Sequence, residues 1–167
     1  AVLAGVQAHN RAALTQHETL VQRIADDQVR AGRIAYQGLT LLSKPGDAWL
    51  QLRPDVYSIR NTTREDRLEP VIHEIKVSRA DLKADLRRPE KRGGYQALAG
   101  ACYYVLAEGI GEADDVPAEC GVIIARPDRL DCVRPAPTRL CGVAFSTWMT
   151  LAKSTRHTWL EPSMDRL

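Results

Sequence analysis

Asp55, Glu74 and Lys76 are the residues of this chain whose types and spacing suit a reaction. Glu74 and Lys76 flank Ile75 inside the apolar tract Val71–Val77, and Asp55 lies nineteen residues before Glu74, within Trp49–Ile59. Both tracts read as strands, the first for its β-branched residues. Side chains alternate faces along a strand, so Ile72, Glu74 and Lys76 share one face, and Asp55 shares a face with Tyr57 and Ile59. If the two strands are antiparallel neighbours, Asp55 and Glu74 converge within reach of one divalent cation. Two carboxylates make a hard oxygen site suited to Mg2+ or Mn2+, ions that keep bound waters for a nucleophile. Lys76 would point at the same spot, to orient or deprotonate a water or to neutralise charge building on a phosphate.

Acid-x-Lys occurs twice, as Glu74-Ile75-Lys76 and as Asp81-Leu82-Lys83, so context has to separate the two. The second sits in a polar, helix-like stretch and reads as solvated. The first lies inside an apolar strand, where a carboxylate and an ammonium need a reason to be placed. The alternative is a structural Glu74–Lys76 ion pair on a sheet surface.

The elements that must position these residues follow from periodicity. Asn10 to about Arg30 is helical, with Leu14, Glu18, Val21 and Ala25 on one stripe, Asn10 as N-cap and Gly32 as stop. Ile34–Leu42 is a first strand, Lys44-Pro45-Gly46-Asp47 a turn, Trp49–Ile59 a second strand, and Val71–Val77 a third. The connections are too short for helical crossovers, so the three strands form a meander. Ser78-Arg79-Ala80-Asp81 opens a helix that runs to Pro89, and Lys91–Ala99 is a second short helix. Ala101–Ala107 and Cys120–Ala125 are apolar strands, separated by the acidic loop Glu108–Glu119, and Ser146–Arg156 closes the chain as a helix. No internal repeat is visible. The order describes a mixed α+β (α/β) domain spanning 1–167, with a core at about 10–130 and a C-terminal extension.

Composition agrees with a globular chain: 167 residues, 44% hydrophobic and 26% charged. The 23 Lys and Arg against 21 Asp and Glu leave a net charge of only +2. The charge is segregated, however. Lys76 to Arg92 holds seven cations and three acids, while Glu108–Glu119 holds five acids and no cation. Arg79, Lys83 and Arg87, spaced by four, form a stripe on the helix that leaves the acidic site. With Arg88, Lys91 and Arg92 they read as a ridge that tracks DNA phosphates, the alternative being an ordinary solvated face. Cys102, Cys120, Cys132 and Cys141 show no CxxC spacing, so zinc is not expected and free thiols are. His73 reads as a structural histidine, Tyr103, Tyr104, Trp148 and Trp159 as core or interface residues, and His9, His17 and His157 offer no metal spacing. The apolar start Ala1–Ala8 is short and lacks a basic leader, and no run approaches the length of a membrane span. The expected location is the cytoplasm.

Arg53-Pro54-Asp55-Val56 followed by Glu74-Ile75-Lys76 resembles the PD-(D/E)xK nuclease superfamily, which has the restriction-endonuclease-like fold. The tract from Val71 through Ser78-Arg79-Ala80-Asp81-Leu82 and Asp85 to Pro89-Glu90 is similar to one branch, the MmcB-like DNA-repair proteins. The likeness covers roughly residues 10–130 and concentrates in 53–90. It implies a Mg2+- or Mn2+-dependent DNA endonuclease acting in repair or processing. Asp55, Glu74 and the Ile75 carbonyl would be metal ligands, Lys76 the catalytic lysine, and Glu18 a further helix carboxylate near the metal. It also implies Tyr95 and Gln96 near substrate. With one site per chain, double-strand cutting would call for a homodimer. The competing readings are a non-cleaving DNA-binding module and a protein-docking domain, the latter using Glu108–Glu119 to meet a repair-protein partner.

Overall fold

Proline, glycine and apolar alternation divide the chain into four helices and eight strands in the computed structural model, which describes residues 1–159. The single-domain expectation for 1–167 therefore extends past the described residues at 160–167. In chain order the elements are α1 (Val2–Arg30), β1 (Arg33–Gln37), β2 (Leu41–Ser43), β3 (Leu50–Leu52), β4 (Val56–Arg60), β5 (Val71–Lys76), α2 (Arg79–Leu86), α3 (Pro89–Leu98), β6 (Ala101–Ala107), β7 (Gly121–Ala125), β8 (Leu130–Arg134) and α4 (Phe145–Lys153).

Six strands make one mixed sheet in the order β1-β4-β5-β6-β7-β8. The antiparallel meander is present as β1-β4-β5, with Val56 opposite His73 and Tyr57 opposite Ile72. Strands β5, β6 and β7 are parallel, and β8 returns antiparallel along β7. The class is thus mixed α+β, a central sheet flanked by helices.

The first two expected strands are each cut in two. Gly38, at φ 59°, ends β1 in a conformation that side-chain-bearing residues avoid, and its N–H donates to the Asp55 carbonyl at 3.0 Å. Arg53-Pro54 ends β3, since Pro54 has no N–H for a ladder. Between those points the chain makes a separate hairpin, β2-β3, with Leu41 opposite Leu52. Asp55 consequently stands one residue before β4, not on a strand.

Helix α1 begins at Val2, eight residues before the expected cap, because nothing in Val2–His9 interrupts helical geometry, and Asn10 is an interior residue. Only its C-terminal half packs, through Leu20, Val21, Ile24 and Ala25 against Ala35, Val56, Ile75 and Val105 on one face of the sheet. The opposite face carries Tyr57, Ile72, Tyr104 and Leu106, covered by Leu82 of α2, Tyr95 and Leu98 of α3, and Leu151 of α4. Pro89 starts α3 at the first turn, where its missing N–H costs nothing. The hairpin lies across α3 at Gly94, whose absent side chain leaves room for Leu52, and Ser43 Oγ donates to the Gly94 carbonyl at 2.7 Å.

Strand β8 was not foreseen, and it brings the residue that organises the acidic loop. Parallel β6 and β7 need a crossover, normally a helix. Residues 108–120 supply only a 3-10 turn at Ala113–Asp115, and the guanidinium of Arg134 holds the loop in its place. It donates to the carbonyls of Ala113 at 3.0 Å, Val116 at 2.8 Å, Pro117 at 2.8 Å and Cys120 at 2.9 Å. All four cysteines are free thiols. Tyr104 is in the core, Trp148 is 38% exposed on α4, and Trp159 lies beside the Arg30 guanidinium. Among the described residues no helix is long and apolar enough to cross a membrane.

Four carbonyls on one forked donor make Arg134 hard to replace. Arg134→Lys should lower unfolding free energy by about 3 kcal/mol, since an ammonium cannot reach all four. Urea denaturation monitored by circular dichroism measures it, and a loss below about 0.5 kcal/mol would contradict this role for the clamp.

Candidate active site

Strand β5 runs past the end of its partner β4. The last β4 residue in the ladder is Val56, opposite His73, so Glu74, Ile75 and Lys76 have no β4 strand alongside. The Ile75 N–H is left pointing at that gap, and the Asp55 carboxylate fills it, accepting the hydrogen bond at 2.8 Å. A residue's N–H and C=O leave a strand on the same side, so the Ile75 carbonyl faces the gap as well.

Glu74 points to the α2–α3 face and is 5% exposed. Asp55 is a neighbour of its carboxylate, and each acid bears on the ionisation of the other. Burial raises the Glu74 pKa, and the adjacent Asp55 raises it further, against the opposing charges of Lys91 and Lys76. Burial works to raise Asp55 too. There it is outweighed by His17, Glu74 and the Ile75 N–H, which hold Asp55 ionised and well below the usual carboxylate range. His17 Nε2 is 3.3 Å from Asp55 Oδ1, and this contact raises the imidazole pKa against the burial that lowers it.

Two lysines enter the cluster from different elements. Lys76 Nζ is 3.6 Å from Asp85 Oδ2 and 3.8 Å from Asp81 Oδ2, both on α2. Lys91 Nζ is 2.9 Å from Glu74 Oε2 and 2.9 Å from Asp85 Oδ1. The Tyr95 hydroxyl donates to the same Glu74 oxygen. Burial raises the pKa of this phenol, and the Glu74 charge raises it further. Asp85 is 5% exposed, and the two ammonium groups face it together with the Tyr104 hydroxyl. Burial opposes its ionisation, but Lys91 and Lys76 prevail and keep its pKa low.

The expected residues thus divide. Asp55, Glu74, Ile75 and Lys76 do meet at one end of β5, and Lys76 contacts α2 carboxylates instead of Glu74. Glu18 lies on the wall of a cleft of about 420 Å3 that also holds His17, Arg53 and Asp55, but it is exposed and makes no ion pair among the described residues. His17 replaces it on Asp55 because Leu20, Val21 and Ile24, at three, four and seven residues on, are the buried stripe. Val21 and Ala25 of the expected stripe, with Leu20 and Ile24 beside them, are buried, whereas Leu14 and Glu18 at its start are exposed. Of the expected DNA ridge, Arg79, Lys83, Arg87 and Arg88 are exposed. Arg79 borders a groove of about 590 Å3 whose other wall carries Glu108, Glu112 and Asp115. Arg88 pairs with Glu90 at 3.6 Å.

Lys91 and Arg92 correct the ridge reading, and Tyr95 stands at the acidic site. Lys91 and Tyr95 are four residues apart on the face of α3 that buries Leu98, so both turn inward to Glu74. Arg92 is tied to the Leu86 carbonyl at 3.0 Å and lies 3.8 Å from Glu119. Gln96 is half-buried on the same helix. Asp85, on the tract that carries the family resemblance, is buried because it follows Leu82 by one turn. His73 is buried and stacked on Tyr103 as a structural residue, although its Nδ1 has no partner; burial, with a smaller contribution from Arg33, depresses its pKa to about 3.

Two facing carboxylates in a buried setting suit a divalent cation, and the Lys91 ammonium on Glu74 marks the position as one that takes positive charge. Among the described residues no three His, Cys, Asp or Glu side chains gather as a metal cluster, and the Ile75 carbonyl is the third ligand that the resemblance implies. The fold and site together define a mixed α+β protein with a buried acid–lysine cluster where β5 overruns β4. No family model and no curated protein matches the chain. Among solved structures it is similar to a protein of unknown function from Silicibacter pomeroyi, at 25% identity and a TM-score of 0.52, over 76% of this chain and 75% of that one.

The acid pair has a pH signature. The raised pKa values of Glu74 and His17 mean that their stabilisation is complete at low pH and lost as pH rises through the folded values. The depressed Asp55 contributes in the opposite sense, lost only as pH falls toward about 2. In chelator, stability should therefore decline from about pH 5 to pH 9, and Glu74→Gln should flatten most of that decline. Denaturant midpoints across this range test it; a variant with the wild-type slope would contradict the assignment.

Proposed function

We propose that this chain is a divalent-metal-dependent DNA phosphodiesterase of the PD-(D/E)xK type, similar to MmcB-like proteins and acting in DNA repair or processing. The observation that carries the reading is the convergence of Asp55 and Glu74 beside the Ile75 carbonyl. Asp55, Glu74 and the Ile75 carbonyl would hold Mg2+ or Mn2+. Bound there, the cation would polarise a phosphoryl oxygen and supply an activated water.

The chain's own residues account for the rest. The Ile75 N–H fixes the Asp55 carboxylate, and His17 keeps it ionised. Lys76, anchored between Asp81 and Asp85, supports negative charge growing on the phosphoryl oxygens. Tyr95 fixes the rotamer of Glu74. The exposed cations Lys83, Arg87 and Arg88, with Arg79 at the edge of the acidic groove, hold the DNA backbone without reading sequence. A second reading, a DNA-binding module that does not cleave, is favoured by one observation: Lys91 already neutralises Glu74. Mn2+ binding separates the two.

Duplex, single-stranded, flap and branched DNA incubated with Mg2+ or Mn2+ should be nicked, and Asp55→Ala and Lys76→Ala should each reduce the rate at least ~100-fold. Cleavage unchanged in both variants would overturn the proposal. DNA affinity should fall steeply with salt. Replacing Lys83, Arg87 and Arg88 together by Ala should reduce the log–log slope by roughly 2 to 3 if each neutralises a phosphate. A slope identical to wild type would remove these residues from the interface.

A further inference from the structure

The geometry points to Lys91 as a displaceable countercation that sets how tightly the acidic site takes a divalent ion, with Asp85 as the place to which it retires. This rests on the proposed cation site at Asp55 and Glu74. Its Nζ stands 2.9 Å from Glu74 Oε2 and 2.9 Å from Asp85 Oδ1, bridging the catalytic strand to α2. Pro89 and the first turn of α3 aim it inward, and its side chain is only 16% exposed.

An ammonium on a carboxylate oxygen competes with any metal for that oxygen. A buried ammonium left without a partner would in turn be costly, so displacement needs a second acceptor. Asp85 is that acceptor: its side chain is 3% exposed and faces the Lys91 and Lys76 ammonium groups, with the Tyr104 hydroxyl as a further neighbour. When a divalent ion engages Glu74, Lys91 shifts its ion pair to Asp85 and stays compensated. Lys91 is therefore a positioning residue that acts through Glu74. It keeps the carboxylate ordered in the metal-free protein and raises the concentration of metal needed to fill the site. Asp85 lowers that threshold by giving the ammonium somewhere to go.

The test is Mn2+ binding to the full chain, read by electron paramagnetic resonance of free Mn2+ and by titration calorimetry at fixed pH. Lys91→Met should bind Mn2+ ~10-fold more tightly than wild type, and Lys91→Arg, which keeps the charge, should bind like wild type. Asp85→Asn should weaken binding severalfold, because Lys91 then has Glu74 alone. In the Asp85→Asn/Lys91→Met double variant that loss should vanish, which a merely structural role for Asp85 would not produce. Circular dichroism checks folding, and Lys91→Gln serves if the Met variant does not fold. Wild-type binding with no tightening on removal of the Lys91 charge would overturn this inference alone. Absence of Mn2+ binding by wild type and by both uncharged variants would overturn it together with the metal site on which it rests.

Discussion

The site depends on an incomplete ladder. Strand β5 continues for three residues after β4 has ended, and a backbone N–H exposed in a half-buried gap must find an acceptor. The Asp55 carboxylate is that acceptor, and the hydrogen bond brings it beside Glu74. Pro54 and Gly38 make the gap by ending β3 and β1, so the chain leaves the sheet and returns to it at the same point. The chemistry is thus placed by backbone hydrogen bonding before any side-chain charge is considered.

Those charges then dictate how the second layer packs. Glu74 and Asp85 are buried carboxylates on opposite sides of a short span, one on the sheet and one on α2. Each would be costly alone. Lys76 and Lys91 supply the opposing charge, and Lys91, from α3, touches both acids. The two helices between β5 and β6 are consequently tied to the end of β5 by ion pairs as well as by Leu82 and Leu98. Lys91 already holds Glu74 Oε2, so a cation added at that oxygen has to displace it.

Much of the fold was legible along the chain. The strand character of Val71–Val77, Ala101–Ala107 and Cys120–Ala125 followed from β-branched, apolar runs, and Ser78 marked the start of α2, its Oγ accepting the Asp81 N–H at 3.1 Å. The split strands were harder, because a single proline or glycine inside an apolar tract decides between one strand and two. Strand β8 carries little apolar alternation and forms because the edge of β7 is available. Within the site, Asp55, Glu74 and Lys76 could be picked out by type and spacing, and the exposed Arg79, Lys83, Arg87 and Arg88 by helical period. Lys91 was grouped with the surface cations, since a basic stretch reads as solvated until the partner of each side chain is known.

From the sequence alone came the residue types, the strand that carries Glu74 and Lys76, the helix that follows it, and the segregation of charge. These are local properties, set by periodicity and turn chemistry within a few residues. Only the tertiary structure decided which groups meet. It turned α1 so that His17 and not Glu18 reaches Asp55, buried Asp85, and folded Lys91 back onto Glu74. The reason is that ion pairing between distant segments depends on how helices rotate against a sheet. A difference of one residue along a helix turns a side chain by about 100°, enough to exchange a partner in the site for open solvent.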